Sequence, residues 1–470
     1  MPNPTPLTPQ AADFPRWYQE VIDLAELADN GPVRGTMVIR PLGFAIWERI
    51  QAALDTRIKD LGVENVYFPL FIPLSYLQRE AAHVEGFSPE LAVVTHAGGK
   101  QLEEPLVVRP TSETIINSYF SKWIESYRDL PMLLNQWSNV VRWELRPRLF
   151  LRTTEFLWQE GHTAHATQAE AQEFALRVLE EVYRQVMEEV LAIPVLTGRK
   201  TDRERFAGAT TTWTCEAMMR DGKALQMGTS HELGQNFAKV FDTTFVDATG
   251  EREHAWQTSW GASARLMGAL VMAHGDDRGL RLPPLLAPVQ VVVLLVRGED
   301  GAAEAAKRID ALLRGAGVRS RLDLRTETSF GRRAVEWELK GAPLRVEVGP
   351  RDVARNQVTL ARRFDASKTE VPLDDLPNWV LHALEEDQGR LFEEANQFQL
   401  AQTRRAASLE EVLEAARTGF ARFPLSLLEG DGEDRLNRQG VSIRAISGPE
   451  AALPLDLTAQ GLEAVAARAY

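Results

Sequence analysis

One charged stretch constrains what this chain can fold into more than any other part of the sequence. It runs from Val141 to His162 and reads VRWELRPRLFLRTTEFLWQEGH. Apolar and β-branched residues lie on both sides of the basic segment 146–148, and its proline favours a turn. The pattern therefore predicts two strands joined by an exposed loop. Because alternate residues of a strand share a face, Arg142 and Glu144 would lie together on the first strand.

The corresponding face of the second strand is polar and aromatic. It would carry Arg152, Thr154, Phe156, Trp158, Glu160 and His162. Guanidinium groups are always ionised and present a planar fork of donors that suits a polyphosphate. Aromatic rings can stack on a base, and carboxylates beside the arginines suit an amine or a metal. The pattern indicates a binding face; the alternative is a solvated hairpin whose ion pairs have no function.

The spacing of these residues resembles motif 2 of class II aminoacyl-tRNA synthetases, and in particular of prolyl-tRNA synthetases. Two other segments are similar to the remaining class II motifs and follow the same order. A strand, Pro41 and a helix over residues 44–61 resemble motif 1, which lies at the dimer interface of this class. The segment from Trp256 to Met272, with Ser263 and Arg265, resembles motif 3. The resemblance extends from Phe14 to Tyr470 and implies a homodimer.

The resemblance implies three domains. Residues 1–284 would form an α+β catalytic domain with an antiparallel sheet, the class II synthetase fold. Residues 289–386 would form an α/β anticodon-binding domain, and residues 387–470 a small α+β C-terminal domain. The residues themselves support the second unit, because the apolar run 289–296 is followed by alternating helical and strand patterns. This order predicts a βαβαβ unit whose first strand is buried on both faces.

The family's reaction is the ATP-dependent activation of L-proline to prolyl-adenylate and its transfer to tRNA(Pro), which releases AMP and diphosphate. By resemblance, Arg142 and Arg265 would be catalytic, and Mg²⁺ would accompany ATP. The residues expected to bind proline are Thr111, Glu113, Arg142, Trp158, Glu160, His162 and His231. The residues expected to bind ATP are Arg142, Glu144, Arg152, Thr153, Phe156, Gln226, Thr229, Ser263 and Arg265. Glu216 is also expected to point into the site.

The run from Pro343 to Asp352 resembles the anticodon-binding domain of the prolyl, threonyl, histidyl and glycyl enzymes. Charged side chains there would read single-stranded bases by hydrogen bonds to their edges and by stacking. The candidates are Arg345, Arg351 and Arg355, with Glu336 or Glu338 from the preceding helical pattern. A solvated surface is the alternative for each of them.

The cysteine content bears on metal binding. The C-terminal domain of related enzymes often binds zinc through four cysteines and ends in tyrosine. This chain ends in Tyr470, but Cys215 is its one cysteine. We therefore expect no zinc and no metal held by cysteines, with a C-terminal core formed by apolar residues instead. These residues are Leu425, Leu427, Leu436, Val441, Ile443 and Ile446. The family also suggests that the carboxylate of Tyr470 reaches toward the active site.

Composition limits the other partners. One cysteine fits a reducing cytoplasm, and neither a signal peptide nor a run of membrane-spanning length is apparent. The formal net charge of −13 argues against a non-specific DNA binder, because phosphate contacts require a basic surface. We expect a cytoplasmic enzyme that binds tRNA through a local basic track, with no membrane and no DNA among its partners.

Two alternative functions remain open, and the chain departs from the bacterial family pattern in one respect. The chain could be a synthetase of the same fold for another amino acid, or a catalytically silent synthetase-like protein that binds or regulates.

The stretch between His162 and Trp256 is too short for the large editing insertion of typical bacterial prolyl enzymes. A pocket sized for proline rejects the smaller alanine weakly, since a missing methylene is worth only about 1–3 kcal/mol. We therefore expect weak activation of alanine that the chain does not correct.

Overall fold

The computed structural model describes residues 7–81 and 91–470. The α-helices are α1 Phe14–Leu24, α2 Pro41–Asp60, α3 Leu74–Ala81, α4 Glu113–Trp123, α5 Gln168–Arg177, α6 Asn236–Phe241, α7 Arg265–His274, α8 Ala302–Gly315, α9 Phe330–Leu339, α10 Pro350–Ala354, α11 Leu376–Ala401, α12 Leu409–Ala415 and α13 Gly432–Arg438. In the part of the chain described, none of the helices is long and apolar enough to cross a membrane.

The first strands are β1 Ala28–Asn30, β2 Met37–Ile39, β3 Glu64–Asn65, β4 Phe71–Pro73, β5 Val93–Ala97, β6 Lys100–Val108, β7 Met132–Val141, β8 Glu155–His165, β9 Leu196–Arg199, β10 Thr211–Met218, β11 Ala224–Gly234, β12 Thr244–Val246, β13 Arg252–His254 and β14 Trp256–Ser263. The later strands are β15 Val291–Leu295, β16 Ser320–Asp323, β17 Leu344–Val348, β18 Gln357–Arg362, β19 Lys368–Pro372, β20 Thr403–Arg405, β21 Phe420–Pro424, β22 Ser442–Ser447 and β23 Glu463–Ala467.

An eleven-stranded sheet organises the molecule, in the order β20-β21-β23-β22-β9-β10-β11-β14-β8-β7-β3. Its pairs are antiparallel except β20 with β21 and β3 with β7. Helices α1, α2 and α7 pack on one face around a large apolar core, together with the helical segment after α5. On β10, Trp213, Cys215 and Ala217 belong to this core. The alternate residues of β10 therefore face the other side of the sheet.

The predicted hairpin forms, but its strands end earlier than predicted. Strands β7 and β8 pair from Met132 opposite Ala164 to Val141 opposite Glu155. The prediction that residues 142, 144, 152 and 154 lie in strands is therefore wrong, because all four belong to the connection 142–154. The strands end early because the connection contains a tight turn. In this turn the backbone N–H groups of Arg148 and Arg152 donate to each other's carbonyl oxygens, at 2.6 and 2.9 Å.

Three other element boundaries differ from expectation. Helix α2 begins at Pro41 rather than after it, because the fixed φ of proline suits the first helical turn, where no N–H is needed. The strand expected over residues 64–74 forms only at its ends, as β3 and β4. The helix expected over residues 75–84 is α3, and its last three predicted residues lie outside those described.

The predicted βαβαβ unit is confirmed. Strands β15, β16 and β17 are parallel, and the sheet continues through antiparallel β18 and β19 in the order β16-β15-β17-β18-β19. All five residues of β15 are buried, with Val293 in the core on one face and Val292 in the cluster on the other. Burial on both faces explains the continuous apolar run.

The C-terminal segment extends the large sheet rather than standing apart from it. Its strand β22 meets β9, with Ile446 opposite Arg199. Leu436, Val441, Ile443 and Ile446 form its core, with Leu425 and Leu427 packed against it, as predicted. Helix α11 leads into this segment, and the expected boundary between residues 386 and 387 falls inside that helix.

Candidate active site

A cavity of about 300 Å³ opens on the face of the large sheet opposite the helices. A smaller cavity of about 160 Å³ adjoins it and shares Arg142, Phe156, Ser263 and Arg265 with it. The structure brings together every residue that the sequence assigned to proline or ATP. The main cavity is lined by Thr111, Glu113, Arg142, Phe156, Trp158, Glu160, His162, Gln226, Thr229, His231, Ser263 and Arg265. The smaller cavity adds Glu144, Arg152 and Thr153.

The sheet register explains this convergence. Alternate residues of β8 lie opposite alternate residues of β14, so that Trp158 faces Ser263 and His162 faces Ser259. Strand β11 continues the same face on the far side of β14. Its Gln226 and Thr229 are three residues apart and would normally point in opposite directions. A β-bulge in the pairing of β10 with β11 brings both to the cavity.

Glu160 and His162 form a buried ion pair at one end of the cavity. His162 Nε2 lies 3.4 Å from Glu160 Oε2, and Glu160 also accepts from Ser112 N–H at 3.1 Å and Gln136 Nε2 at 2.9 Å. Burial opposes ionisation of both groups. The hydrogen bonds and mutual attraction outweigh burial, so the pKa of Glu160 lies below its ordinary value and that of His162 above.

Glu113 lies beside this pair at the start of α4. It is buried and accepts a hydrogen bond from the hydroxyl of Thr111. Ser112 occupies the N-cap position, but its hydroxyl donates to Glu160 instead of capping the helix. Ligand atoms of Glu113, Glu160 and His162 lie within 4.8 Å of one another. This cluster is anionic overall and could hold a cation, either a metal ion or a protonated amine.

Arg142 reaches into the cavity from the end of β7. Its Nε donates to the carbonyl oxygen of Pro110 at 2.9 Å. Its guanidinium lies 5.1 Å from the ring centre of Trp158 and 5.7 Å from that of Phe156. The side chain is open to the cavity, but the surrounding walls desolvate it, and this lowers its pKa. Arg109 is buried and donates to the carbonyl oxygens of residues 68 and 139.

A second arginine, Arg265, begins helix α7. Its Nε donates to the carbonyl of Leu151 at 3.3 Å, and its own backbone N–H donates to Ser263 Oγ at 3.3 Å. Burial, together with the neighbouring charge of Arg152, lowers the pKa of Arg265 to about 10. Glu144 accepts from the backbone N–H of residue 146 and lies 4.0 Å from Arg152. Cationic side chains therefore dominate this end of the site.

Several residues of the cavity wall were not assigned to the site from the sequence. Phe206 stacks on His231 with ring centres 4.6 Å apart, and Thr212 Oγ1 lies 3.0 Å from His231 Nδ1. Burial and the nearby charge of His162 lower the pKa of His231 to about 3, so it is neutral at pH 7. Alternation of polar with apolar residues along β10 could have pointed to Thr212. Phe206 lies in a loop, where no periodicity signals its position.

Glu216 does not line either cavity, contrary to expectation. It faces the same side of the sheet but is buried between Lys200 and Arg444. Tyr470 is also absent from both cavity walls. Tyr470 instead lines a third cavity, of about 390 Å³, together with Tyr18 and Arg148, and its hydroxyl donates to Asp221 at 2.5 Å.

Buried polar atoms without a hydrogen-bond partner gather at the main cavity. In the described residues they include Trp158 Nε1, His162 Nδ1 and Ser259 Oγ, all on residues of its wall. Buried polar groups are normally satisfied, and exceptions mark places where a ligand or water completes the bonding. The main cavity is therefore suited to a polar ligand.

The predicted anticodon residues separate into two groups. Glu338 and Arg345 line a cavity of about 300 Å³ on the smaller sheet, together with Arg362, Arg363 and Lys368. Glu336, Arg351 and Arg355 do not line it. Glu336 instead pairs with Lys340 at 3.1 Å and with Arg325 at 3.1 Å, and Arg351 is exposed on α10.

Comparisons with known proteins agree with this architecture. Residues 95–274 match the tRNA synthetase class II core domain of the G, H, P, S and T enzymes, and residues 290–382 match the anticodon binding domain. The proline–tRNA ligase 2 of Streptomyces avermitilis is 58% identical over 99% of both chains, and the proline–tRNA ligase of Frankia casuarinae is 59% identical over 99% of both.

A solved structure is similar over nearly the whole chain. The prolyl-tRNA synthetase of Cryptosporidium parvum, crystallised with halofuginone and AMPPNP, has a TM-score of 0.90 and is 37% identical, covering 98% of this chain and 96% of that one. The class II fold expected from the sequence is confirmed. The alternatives of another amino acid and of a silent binding protein are not supported, since the curated relatives are proline–tRNA ligases. The chain therefore belongs to the prolyl-tRNA synthetases, the class II enzymes that join proline to tRNA.

Proposed function

We propose that the main cavity binds proline beside Glu113, Glu160 and His162, and ATP beside Arg265, with Arg142 between the two substrates. The observation that carries this proposal is the separation of charge within one cavity. The two carboxylates lie at one end and the arginines at the other. Arg142 is close enough to interact electrostatically with Glu113 and Glu160 and with Arg265.

The proline end fits a compact zwitterion. A secondary ammonium has two N–H donors and needs an acceptor that carries negative charge. Glu113 offers one, and Thr111 Oγ1 lies beside it. Trp158, Phe206 and the neutral ring of His231 form an apolar wall against which the pyrrolidine ring would pack. The ion pair of Glu160 with His162 would hold this wall in place from below.

The nucleotide end fits adenine and phosphates. Phe156 and the guanidinium of Arg265 would enclose the adenine ring, and Glu144 would accept from its amino group. Thr153 lies in the wall beside them, and its hydroxyl has no hydrogen-bond partner. Arg152 and Arg265 would hold the phosphates, with Gln226, Thr229 and Ser263 as neutral donors and acceptors. AMPPNP bound to the Cryptosporidium relative supports a nucleotide site in this fold.

ATP would enter as its Mg²⁺ complex. Magnesium prefers oxygen ligands and is commonly held by substrate phosphates with few protein groups. Oxygen atoms of Gln226, Thr229 and Ser263 suit this role. The alternative cluster of Glu113, Glu160 and His162 is less suited, because both oxygens of Glu160 already accept hydrogen bonds.

The chemistry needs no covalent intermediate with the enzyme. A carboxylate oxygen of proline attacks the α-phosphorus of ATP, and pyrophosphate leaves. The terminal ribose hydroxyl of tRNA then attacks the prolyl carbonyl, and AMP leaves. Arg142 would donate to both the proline carboxylate and the α-phosphate, where negative charge increases in the transition state. Fixed donors at that position act by orientation and by charge stabilisation.

The substrate assignment is tested by amino-acid-dependent ATP–pyrophosphate exchange with proline, alanine, threonine and histidine. We expect proline to drive exchange most strongly, with a requirement for Mg²⁺, and alanine to drive it weakly. Alanyl-tRNA added to the enzyme should persist, since no editing insertion is apparent. Exchange driven chiefly by another amino acid would contradict the pocket assignment, and rapid hydrolysis of alanyl-tRNA would contradict the absence of editing.

The cavity on the smaller sheet is our candidate for binding anticodon bases. Its basic side chains and Trp337 combine charge with a stacking surface. Arg345→Ala should lower kcat/KM for tRNA about tenfold, and proline-dependent exchange without tRNA should change less than about twofold. Arg308→Ala, at an exposed arginine of the same domain, is the matched control. Equal effects on aminoacylation and on exchange would contradict the assignment.

The remaining proposals concern assembly and location. We retain a division at residues 1–284, 289–386 and 387–470, with α11 shared by the last two units.

Half-exposed Val38 and Phe44 near the motif 1 helix support a homodimer. Sedimentation at the 52.6 kDa mass of one chain would contradict a dimer. The single cysteine supports a cytoplasmic location, which cell fractionation can test.

A further inference from the structure

A buried ionic cluster joins the C-terminal segment to the floor of the active site. Glu216 on β10 is fully buried and is bound by two cations from distant parts of the chain. Lys200 Nζ lies 2.7 Å from Glu216 Oε1. Arg444 on β22 approaches in a fork, with Nε 3.0 Å from Oε2 and Nη2 3.1 Å from Oε1. Thr214 Oγ1 donates to the same carboxylate at 2.8 Å.

This cluster lies directly beside the nucleotide end of the cavity. In the register of β10 with β11, Glu216 is opposite Gln226, and Thr214 is opposite Thr229. Residues opposite each other in an antiparallel pair have side chains on the same face. Gln226 and Thr229 line the main cavity. The carboxylate that Arg444 binds therefore belongs to the strand against which these two side chains rest.

The same C-terminal segment also contacts β11, the strand next to β10, at its first residue. The backbone N–H of Ala224 donates to the carbonyl of Arg468 at 2.8 Å, and the N–H of Tyr470 donates to the carbonyl of Ala224 at 3.1 Å. Ala224 is two residues before Gln226. Met218 and Ala224 also pack with Phe420, Val465 and Ala467 in one apolar cluster. Gln226 thus lies between two attachments of the C-terminal segment.

A stabilising role alone does not account for such a cluster. Buried ion pairs are often no more stable than apolar groups of similar size, because desolvation costs as much as the attraction returns. An arginine fork does, however, hold a carboxylate in one orientation. Arg444 and Lys200 come from distant parts of the chain and both bind Glu216. Together they fix the position of the Glu216 side chain on β10, next to the cavity.

We propose that Arg444 is a positioning residue for the nucleotide: it orients Glu216, and thereby sets the position of β10 and of Gln226 toward ATP. The C-terminal segment would then act in adenylate formation without contacting a substrate. This inference rests on the proposed placement of ATP beside Gln226.

The test is proline-dependent ATP–pyrophosphate exchange by full-length Arg444→Met, which keeps the side chain volume and removes the charge. We expect KM for ATP to rise about tenfold, KM for proline to stay within about twofold, and Arg444→Lys to recover part of the loss. Arg422→Met is the matched control. Arg422 belongs to the same segment and pairs with Glu463 at 3.1 Å, away from both cavities, so its KM for ATP should not change.

Other results would overturn the proposal. An unchanged KM for ATP in folded Arg444→Met would do so, and so would equal increases for both substrates, which indicate general destabilisation. If thermal unfolding shows that Arg444→Met does not fold, Glu216→Gln decides by the same criteria. Gln226→Ala separates the two levels of inference. If Gln226→Ala leaves KM for ATP unchanged, the placement of ATP fails together with this proposal. If it raises KM for ATP while Arg444→Met does not, only the positioning role fails.

Discussion

Arg142→Ala should lower the rate of prolyl-adenylate formation by roughly two to three orders of magnitude while leaving the fold intact. Arg142 interacts electrostatically both with Glu113 and Glu160 and with Arg265. Its proposed position is between the proline carboxylate and the α-phosphate, two anions that must approach each other. Without the guanidinium, their repulsion is uncompensated, and the charge that builds on the phosphate has lost a fixed donor.

Two further variants make the Arg142 experiment specific. Arg142→Lys keeps the charge but not the planar fork, so we expect an intermediate rate. Arg146→Ala removes an arginine of the same loop that lines neither cavity, and its rate of adenylate formation should be close to normal. Single-turnover formation of prolyl-adenylate gives the rate, and circular dichroism with thermal unfolding monitors the fold. Near-normal adenylate formation by Arg142→Ala would remove the assignment.

Glu113→Gln should raise KM for proline by roughly 10- to 100-fold, with little change in KM for ATP. The amide keeps the size of the carboxylate but loses its charge, so the ammonium of proline would lose its ionic acceptor. The hydrogen bond from Thr111 can still form to the amide oxygen, which preserves the local geometry. The expected loss is thus confined to the charge on the amino-acid end of the site.

Steady-state exchange at varied proline and at varied ATP measures this separation. Glu103→Gln is the matched control, because Glu103 is an exposed carboxylate on β6 and lines neither cavity. Its kinetic constants should be those of the unmodified enzyme. An unaltered KM for proline in Glu113→Gln, or parallel increases for proline and ATP, would mean that Glu113 does not receive the ammonium.

The candidate site could be predicted from the sequence to a large extent. Phe156, Trp158, Glu160 and His162 were assigned to one face by their period of two, and they do line one cavity along β8. This succeeded because strand periodicity is a local property of the backbone. The same reasoning failed for Arg142 and Arg152, which lie in the connection 142–154. Local alternation does not reveal where hydrogen bonding between strands ends and a turn begins.

Other parts of the site depended on contacts that no local pattern contains. Ser112 carries the sequence signal of a helix cap, yet its hydroxyl is used by Glu160 on a distant strand. Phe206 reaches the cavity from a loop by stacking on His231. These partners are identified only when separate elements pack together. A local hydrogen bond and a tertiary one are similar in strength, so the tertiary contacts decide which of the two forms.

The sequence by itself determined the chemical groups available to the site, the periodicity that turns them to one face, and the family to which the chain is similar. Only the tertiary structure decided which strands lie side by side and which charges meet. Glu216 and Arg444 are 228 positions apart, and nothing near either residue specifies the other. Their pairing follows from the sheet order that brings β22 to β9 and β9 to β10. Local conformation depends on a few neighbouring residues, whereas sheet order depends on how the whole chain buries its apolar surface.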